Sequence, residues 1–244
     1  MPPEAHVNNP YVLEETDDFA VVFKPPKMHS APLAKKTGGA LLEWYTSRSP
    51  SVFDLMHRLD FETHGLVLIA KNAKSFEFFK SAQDNGEFVK EYSAVCANSA
   101  SSLPSGFPLP PSFAAFEPSE EKPLVIESYF RPYGRGRKLV RPVTDDVNKH
   151  REFATDRGGF YRTEIIGRDG NFFTVRIKRG FRHQIRCHLC WLGFPIQNDP
   201  LYPQPTEPAG EPLALCAHAL FFPDPTTGKQ REYRISSCIT MLCA

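Results

Sequence analysis

Three observations predict an α+β fold, with a mixed, largely antiparallel central sheet and flanking helices. Strand-length runs of β-branched and aromatic residues dominate, only two stretches show helical spacing, and proline-rich connectors join the pieces. The strand candidates are Phe19–Phe23 (FAVVF), Leu66–Ala70 (LVLIA), Glu91–Ala97, Val125–Phe130, Phe160–Ile166 and Asn171–Ile177. Asn72 is placed to cap a helix running through Gln83, with Ala73, Phe76, Phe79 and Lys80 along one face and Gly86 just past its end. A second helix is expected over Arg182–Leu192, where Ile185, Leu189 and Leu192 fall at i, i+4 and i+7 and Gly193 and Pro195 stop it. Its charged residues are expected on the opposite face or in the first turn. Six of the 23 residues from Ser101 to Pro123 are proline, and a second such run spans Pro195–Pro212. Neither can donate a regular ladder, and both read as surface loops. With no repeat visible, residues 1–244 are expected to form a single domain, without a separate N-terminal domain.

Composition removes several classes. A chain of 244 residues, 41% hydrophobic and 23% charged, can bury a core without metal or disulfide staples. The longest aliphatic run, Leu66–Ala70, is far too short to span a bilayer, and Met1–Pro10 has neither the basic start nor the apolar core of a signal peptide. No membrane partner is expected, and the cytoplasm is the default location. The six cysteines, Cys96, Cys187, Cys190, Cys216, Cys238 and Cys243, are then expected to be reduced. The formal net charge of +1 is uninformative, but between Arg131 and Cys190 there are 15 Lys and Arg against 6 Asp and Glu. That asymmetry points to a polyanion partner for one region.

Two stretches concentrate chemistry. His57–Asn72 (HRLDFETHGLVLIAKN) sets His, Arg, Asp, Glu and Thr immediately before a buried strand and a helix, a position from which side chains reach ligands. Asp60 is a candidate nucleophile or base there, and Arg58 can reach a phosphate or a base stack. Lys178–Tyr202 carries four basic residues and two histidines within eleven positions around a helix start, where anions are attracted. An arginine facing Asp60 would hold that carboxylate ionised, and Arg186, one turn inside the helix, is the candidate.

These residues resemble the RluA branch of the pseudouridine synthases. His57-Arg58-Leu59-Asp60-Phe61-Glu62-Thr63-His64-Gly65 follows that family's H-R-L-D-x-x-T-S-G except at His64. Val21–Pro25 resembles its early Lys-Pro strand, Lys90–Val95 its tyrosine strand, Arg182–Tyr202 its H-Q-I-R-x-H-L helix and D-P-L-Y turn, and Leu215–Phe222 its late L-H-A strand. The resemblance implies an RNA uridine isomerase acting on structured ribosomal or transfer RNA without metal, nucleotide or redox cofactor. By the same resemblance Asp60 acts at the ribose of a flipped uridine and Arg186 is its ion-pair partner. Tyr92 stacks on the uracil and helps remove the proton from ring carbon 5, while Arg58 enters the RNA stack. His57, Arg182, His183 and Gln184 belong with the RNA contacts. Bond exchange from C–N to C–C suits this set, since it needs a carboxylate at the sugar and a base taken out of its stack. Arg182 stands where the family commonly has Thr. Arg135, Arg137 and Lys138, in the basic Gly134–Val143 stretch, are expected to neutralise backbone phosphates. Oligomeric state is unreadable, with monomer the default.

Two competing readings are a catalytically silent RNA binder and a zinc-dependent base deaminase. The second uses His150 and Glu152 with Cys187 and Cys190, whose signature fails because Arg186 occupies the required proline position. A structural zinc site from Cys187, Cys190, Cys216 and His218 is conceivable, although Cys187 and Cys190 at i, i+3 are expected to pack as small apolar side chains.

Overall fold

The computed structural model describes residues 8–33, 38–49, 51–97, 103–111, 117–144, 160–202 and 211–236. Its elements run β1 (Tyr11–Glu15), β2 (Phe19–Lys24), α1 (Leu41–Thr46), β3 (Asp54–Leu55), β4 (His64–Ala70), α2 (Ala73–Asp84), β5 (Val89–Val95), β6 (Leu124–Tyr133), β7 (Leu139–Val143), β8 (Tyr161–Asp169), β9 (Phe172–Ile177), α3 (Gln184–Trp191), β10 (Leu215–Pro223) and β11 (Gln230–Arg234). A 3-10 turn, Arg135–Arg137, lies between β6 and β7. The α+β class with few helices is as expected. The chain condenses into two compact units, one from Met1–Ser93 with Leu215–Ala244, the other from Ala94–Ala214.

In the first unit the strand order is β1-β2-β4-β10-β5, with β3 on β4 and β11 on β10. The β2–β4 pair is antiparallel and the β4–β10 pair parallel. Both β2 and β4 are buried along their whole length, which is why they read as unbroken apolar runs rather than alternating ones. An edge-to-face set of Phe19, Phe79 and Phe222 forms the middle of the core, with centroids 5.3 to 5.9 Å apart. Helix α2 begins where expected, Asn72 accepting a bond from the Ser75 N–H at 2.8 Å. Its buried face is Ser75, Phe79 and Ala82, however, while Ala73 and Lys80 are exposed. The expected stripe is thus rotated by about one position, because Phe76 turns to the rim and meets Phe53 at 4.9 Å.

The second unit holds the antiparallel order β9-β8-β6-β7. The sequence LVRPV did not announce β7, because Pro142 lacks a ladder donor, and it is tolerated on the last strand of this unit's order. Helix α3 departs from expectation more sharply. Every residue from Gln184 to Trp191 is buried, charged and polar ones included, so no solvated face exists. Amphipathic spacing misleads there because Gln184, Arg186 and His188 are satisfied by partners inside the protein. The thiols of Cys96, Cys187 and Cys190 are free and buried. Cys216 is disulfide-bonded, which corrects the expectation of reduced thiols throughout. Compartment arguments describe the redox poise outside the molecule, whereas a bridge requires only that folding bring a second sulfur within bonding distance. Among the described residues no helix is long and apolar enough to cross a membrane.

Candidate active site and nucleic-acid interface

In the first unit the turn before β4 carries Asp60, half-buried, between exposed Arg58 and exposed Phe61. The Thr63 N–H donates to the Asp60 carbonyl at 3.2 Å, closing the turn. Beneath it the fully buried ammonium of Lys24 donates to the carbonyls of Pro25 (2.9 Å), Met28 (2.7 Å) and Phe61 (3.3 Å). Burial pushes Lys24 down to about 7, against the pull of the Asp60 and Glu62 carboxylates. Ser30 adds a second tie, its hydroxyl donating to the Leu59 carbonyl at 2.9 Å and accepting from the Leu59 N–H at 3.0 Å. The turn is therefore held by the β2 loop at two points rather than by its own sequence.

Tyr92 is buried on β5, and burial together with the negative charge of Asp60 raises its phenol well above the usual range. It is thus a protonated phenol in the field of Asp60. Glu91 and Ser93, on either side of it, are tied to β10 and β11. The Ser93 hydroxyl meets His218 Nδ1 at 3.0 Å, and Arg234 donates to Glu91 Oε2 at 3.1 Å. His57 is structural in its contacts, since its Nε2 accepts from the Leu68 N–H at 3.2 Å and its ring stands edge-on to Phe88. At His64, where the sequence departs from the RluA pattern, both ring nitrogens are buried with no hydrogen-bond partner among the described residues. Burial and the nearby Lys24 push that imidazole down to about 4, so it is neutral. The next residue, Gly65, has φ +124° and lies against the Ala217 backbone.

In the second unit Arg186 is locked in a bidentate pair with Asp199, Nε to Oδ2 at 2.7 Å and Nη2 to Oδ1 at 2.6 Å, both side chains buried. Asp199 Oδ1 also accepts from the Leu201 and Tyr202 N–H groups, which fixes the D-P-L-Y turn onto α3. Gln184 spends its amide internally, accepting from the Phe181 N–H and donating to the Arg162 carbonyl and Thr163 hydroxyl. His188 bridges Ser128 (2.9 Å) and Thr163 (2.8 Å). His183 caps α3 in a left-handed conformation, φ 56°, with its ring edge-on to Tyr202. Arg182 is exposed and donates to the carbonyls of Arg137 (2.8 Å) and Leu139 (3.2 Å). That bond joins it to Arg135, Arg137 and Lys138 in one exposed basic patch at the β6–β7 tip. Of the interface residues expected from sequence, this unit brings those four together, while Gln184 is committed to packing.

Sequence reasoning gave no part in the reaction to Lys24, Ser30, Asp199 or His218, the last of which it named only for a structural zinc site. Three of them lie in stretches quoted for the resemblance, the Lys-Pro strand, the D-P-L-Y turn and the L-H-A strand, which was the signal available. Cys187 and Cys190 pack in an apolar cluster with Phe130, Val140, Tyr161 and Tyr202, and burial raises both thiols. His150 and Glu152 lie outside the described residues. Cys216, in its disulfide, has no thiolate to offer a metal.

The profile of the family described as RNA pseudouridylate synthase matches residues 18–191, which include the Asp60 turn, Tyr92 and α3. The chain belongs to that family. Among its relatives, ribosomal large subunit pseudouridine synthase D of Haemophilus ducreyi is 23% identical over 208 residues, 82% of this chain and 55% of that protein. The mitochondrial tRNA pseudouridine(32) synthase of Saccharomyces cerevisiae is 28% identical over 194 residues, 78% of this chain and 36% of that protein. Curated relatives of the family are thus often matched over only about half of their length. The structure of human RNA pseudouridylate synthase domain containing 1 superposes with a TM-score of 0.65 at 19% identity, covering 96% of this chain and 86% of that one, and so shares the fold.

The buried titratable groups of this pseudouridylate synthase fold make a pH prediction. Burial lowers His57, His64, His188 and His218, so below about 6.5 the unfolded chain takes up protons that the folded chain refuses. Burial also pushes Lys90 down to about 7, as it does Lys24, so between about 7 and 10 the unfolded lysines again hold protons that the folded ones release. Stability is therefore expected to rise from pH 5 to about 8.5, and to fall above about 9 as the raised cysteines and tyrosines oppose it. Urea unfolding at pH 5, 7 and 8.5 checks this. Lys90→Met should remove much of the rise between pH 7 and 8.5, and an unchanged rise would show that Lys90 keeps its proton in the fold.

Proposed function

We propose that this chain is an RNA uridine isomerase that converts specific uridines of structured ribosomal or transfer RNA to pseudouridine, with Asp60 as the catalytic carboxylate and no cofactor. The observation that carries the reading is the pinned turn: Asp60 is reachable beside a buried, protonated Tyr92, on a loop tied to the β2 connection by Lys24 and Ser30. In the reaction the glycosidic C–N bond breaks, the uracil rotates, and ring carbon 5 bonds to the ribose carbon. The proton on carbon 5 leaves, and ring nitrogen 1 gains one. Asp60 serves the sugar end as nucleophile or base. Tyr92, holding its proton, is suited to stacking and to donating a hydrogen bond. Exposed Arg58 fills the gap left by the flipped base, and Arg186, fixed by Asp199, keeps the role that the resemblance gives it. Relatives named for ribosomal and for transfer RNA support an RNA substrate.

The test is tritium release from RNA carrying 5-tritiated uridine, extracted from cells lacking this gene, with and without a zinc chelator. Release insensitive to the chelator is expected, and mapping the product names the substrate. Absence of release from that RNA pool would sink the isomerase reading, and chelator-sensitive loss of an amino group would revive the deaminase. The basic patch carries its own prediction. RNA affinity should fall steeply with salt, and replacing Arg135, Arg137 and Lys138 by Ala should lower the log–log slope by about 2 to 3, since each phosphate contact contributes about 0.7 to 0.9. An unchanged slope removes the patch from the interface.

A further inference from the structure

Next to Asp60 the structure holds an aromatic pair to which neither the fold nor the proposed chemistry gives a task. Phe61 is 40% exposed, and its ring lies 4.6 Å from that of His29 at a tilt of 40°. An isolated surface phenylalanine needs no explanation. This one stands on an unusually well-fixed frame. The Lys24 ammonium donates both to the carbonyl of Met28, the neighbour of His29, and to that of Phe61 itself. Ser30, on the other side of His29, exchanges two hydrogen bonds with Leu59, two residues before Phe61. The His29 carbonyl accepts from the Leu41 N–H at 2.8 Å, which anchors it to the start of α1. Residues 28–30 and 59–61 are thus cross-tied on both sides of the two rings, and neither ring's backbone can retreat to bury it. Two exposed cations, Lys27 and Arg58, flank the pair.

We propose that Phe61 and His29 form a stacking platform for the unpaired base that neighbours the uridine drawn to Asp60. Every nucleobase has a π-face, so an aromatic surface accepts a base without reading its edge, and the exposed Lys27 suits a phosphate beside it. Flipping one nucleotide exposes the faces of its neighbours, and a fixed platform one residue from the catalytic carboxylate replaces the lost stack. The inference deepens the isomerase reading and rests on it only through the RNA ligand. Its test therefore measures binding rather than turnover.

The experiment compares the wild-type chain with Phe61→Ala, Phe61→Leu and Phe61→Trp for equilibrium binding of the tritium-assay RNA pool, titrated at several salt concentrations. Phe61→Ala should weaken binding about tenfold at every salt concentration with the slope unchanged, the loss of one stacked base. Phe61→Trp should restore affinity and Phe61→Leu should not. Lys27→Ala, at the exposed cation before His29, should instead reduce the slope, as a phosphate contact does. Phe53→Ala, at a half-exposed phenylalanine paired with Phe76, should leave binding unchanged. Wild-type affinity in Phe61→Ala, or full restoration by Phe61→Leu, overturns the platform while leaving the isomerase reading intact. Failure of the wild-type chain to bind the RNA at all overturns both, and the tritium assay then reports on the isomerase separately. Thermal melting of each variant separates a folding defect from a lost contact.

Discussion

Asp60→Asn is expected to abolish tritium release while RNA binding persists or improves. The substitution keeps the size and the planar group, so the turn closed by the Thr63 N–H on the Asp60 carbonyl stays intact. What disappears is the negative charge. A carboxylate that attacks or deprotonates the ribose cannot be replaced by an amide, and the loss should reach about three orders of magnitude or more, the upper range for a positioned acid–base or nucleophilic group. Binding should move the other way, because a carboxylate repels phosphates. Two side effects distinguish a charge loss from a collapsed site. Tyr92 loses one cause of its raised phenol, and Lys24 loses one of the two carboxylates that help it keep its proton. Release from the Asn variant within about a hundredfold of wild type would remove Asp60 from the chemistry.

Gly65→Ala is expected to be the most damaging single-atom change in the described structure. A Cβ there would stand 2.3 Å from the Ala217 carbonyl oxygen, 2.6 Å from its nitrogen and 2.8 Å from its carbonyl carbon. These are backbone atoms of β10, paired in parallel register with β4 at Gly65, so no side chain can swing away. The conformation itself, φ +124°, is one that only glycine adopts readily. Strain of about 1–3 kcal/mol and overpacking of about 1–3 kcal/mol act together, against a total stability of about 5–15 kcal/mol. The melting temperature should fall by roughly 10 °C, at about 2–4 °C per kcal/mol for a chain of this size. Gly170→Ala is the control, since φ there is +55° but nothing lies within 4 Å of the added carbon. A Gly65→Ala melt no lower than that of Gly170→Ala would show that β4 and β10 part freely.

What could be read from the sequence divides along a physical line. Local signals were legible: the Asn72 cap, the strand runs through β2, β4, β5, β6, β8 and β9, and the position of α3. Signals that depend on a distant partner were not. The burial of α3 on all sides follows from Asp199, Thr163 and Ser128 answering its polar side chains, and nothing within Arg182–Leu192 encodes those answers. Helix α1 is short and is set up by Glu43 accepting from the Gly38 and Ala40 N–H groups, a cap of six residues' reach that hydrophobic spacing cannot show. In the site, Asp60 and Tyr92 were legible through the resemblance, as was the basic tip through composition. The Lys24 clamp was not, because a lysine after five apolar residues reads as the end of a strand. Only the fold shows that three carbonyls converge on it.

The order of the strands in the first unit has a consequence for synthesis. β10 lies between β4 and β5 in space but follows them in the chain by more than a hundred residues, with the whole second unit made in the interval. While that insert is being translated, β4 and β5 have emerged and the strand that joins them has not. At about 5–20 residues per second the interval is on the order of ten seconds. Throughout it two hydrophobic strands present unpaired edges, the condition under which nascent chains pair wrongly or recruit chaperones. The second unit is continuous in the chain and meets no such delay. On the ribosome, then, the insert can be complete before the Asp60 turn has the sheet on which it stands.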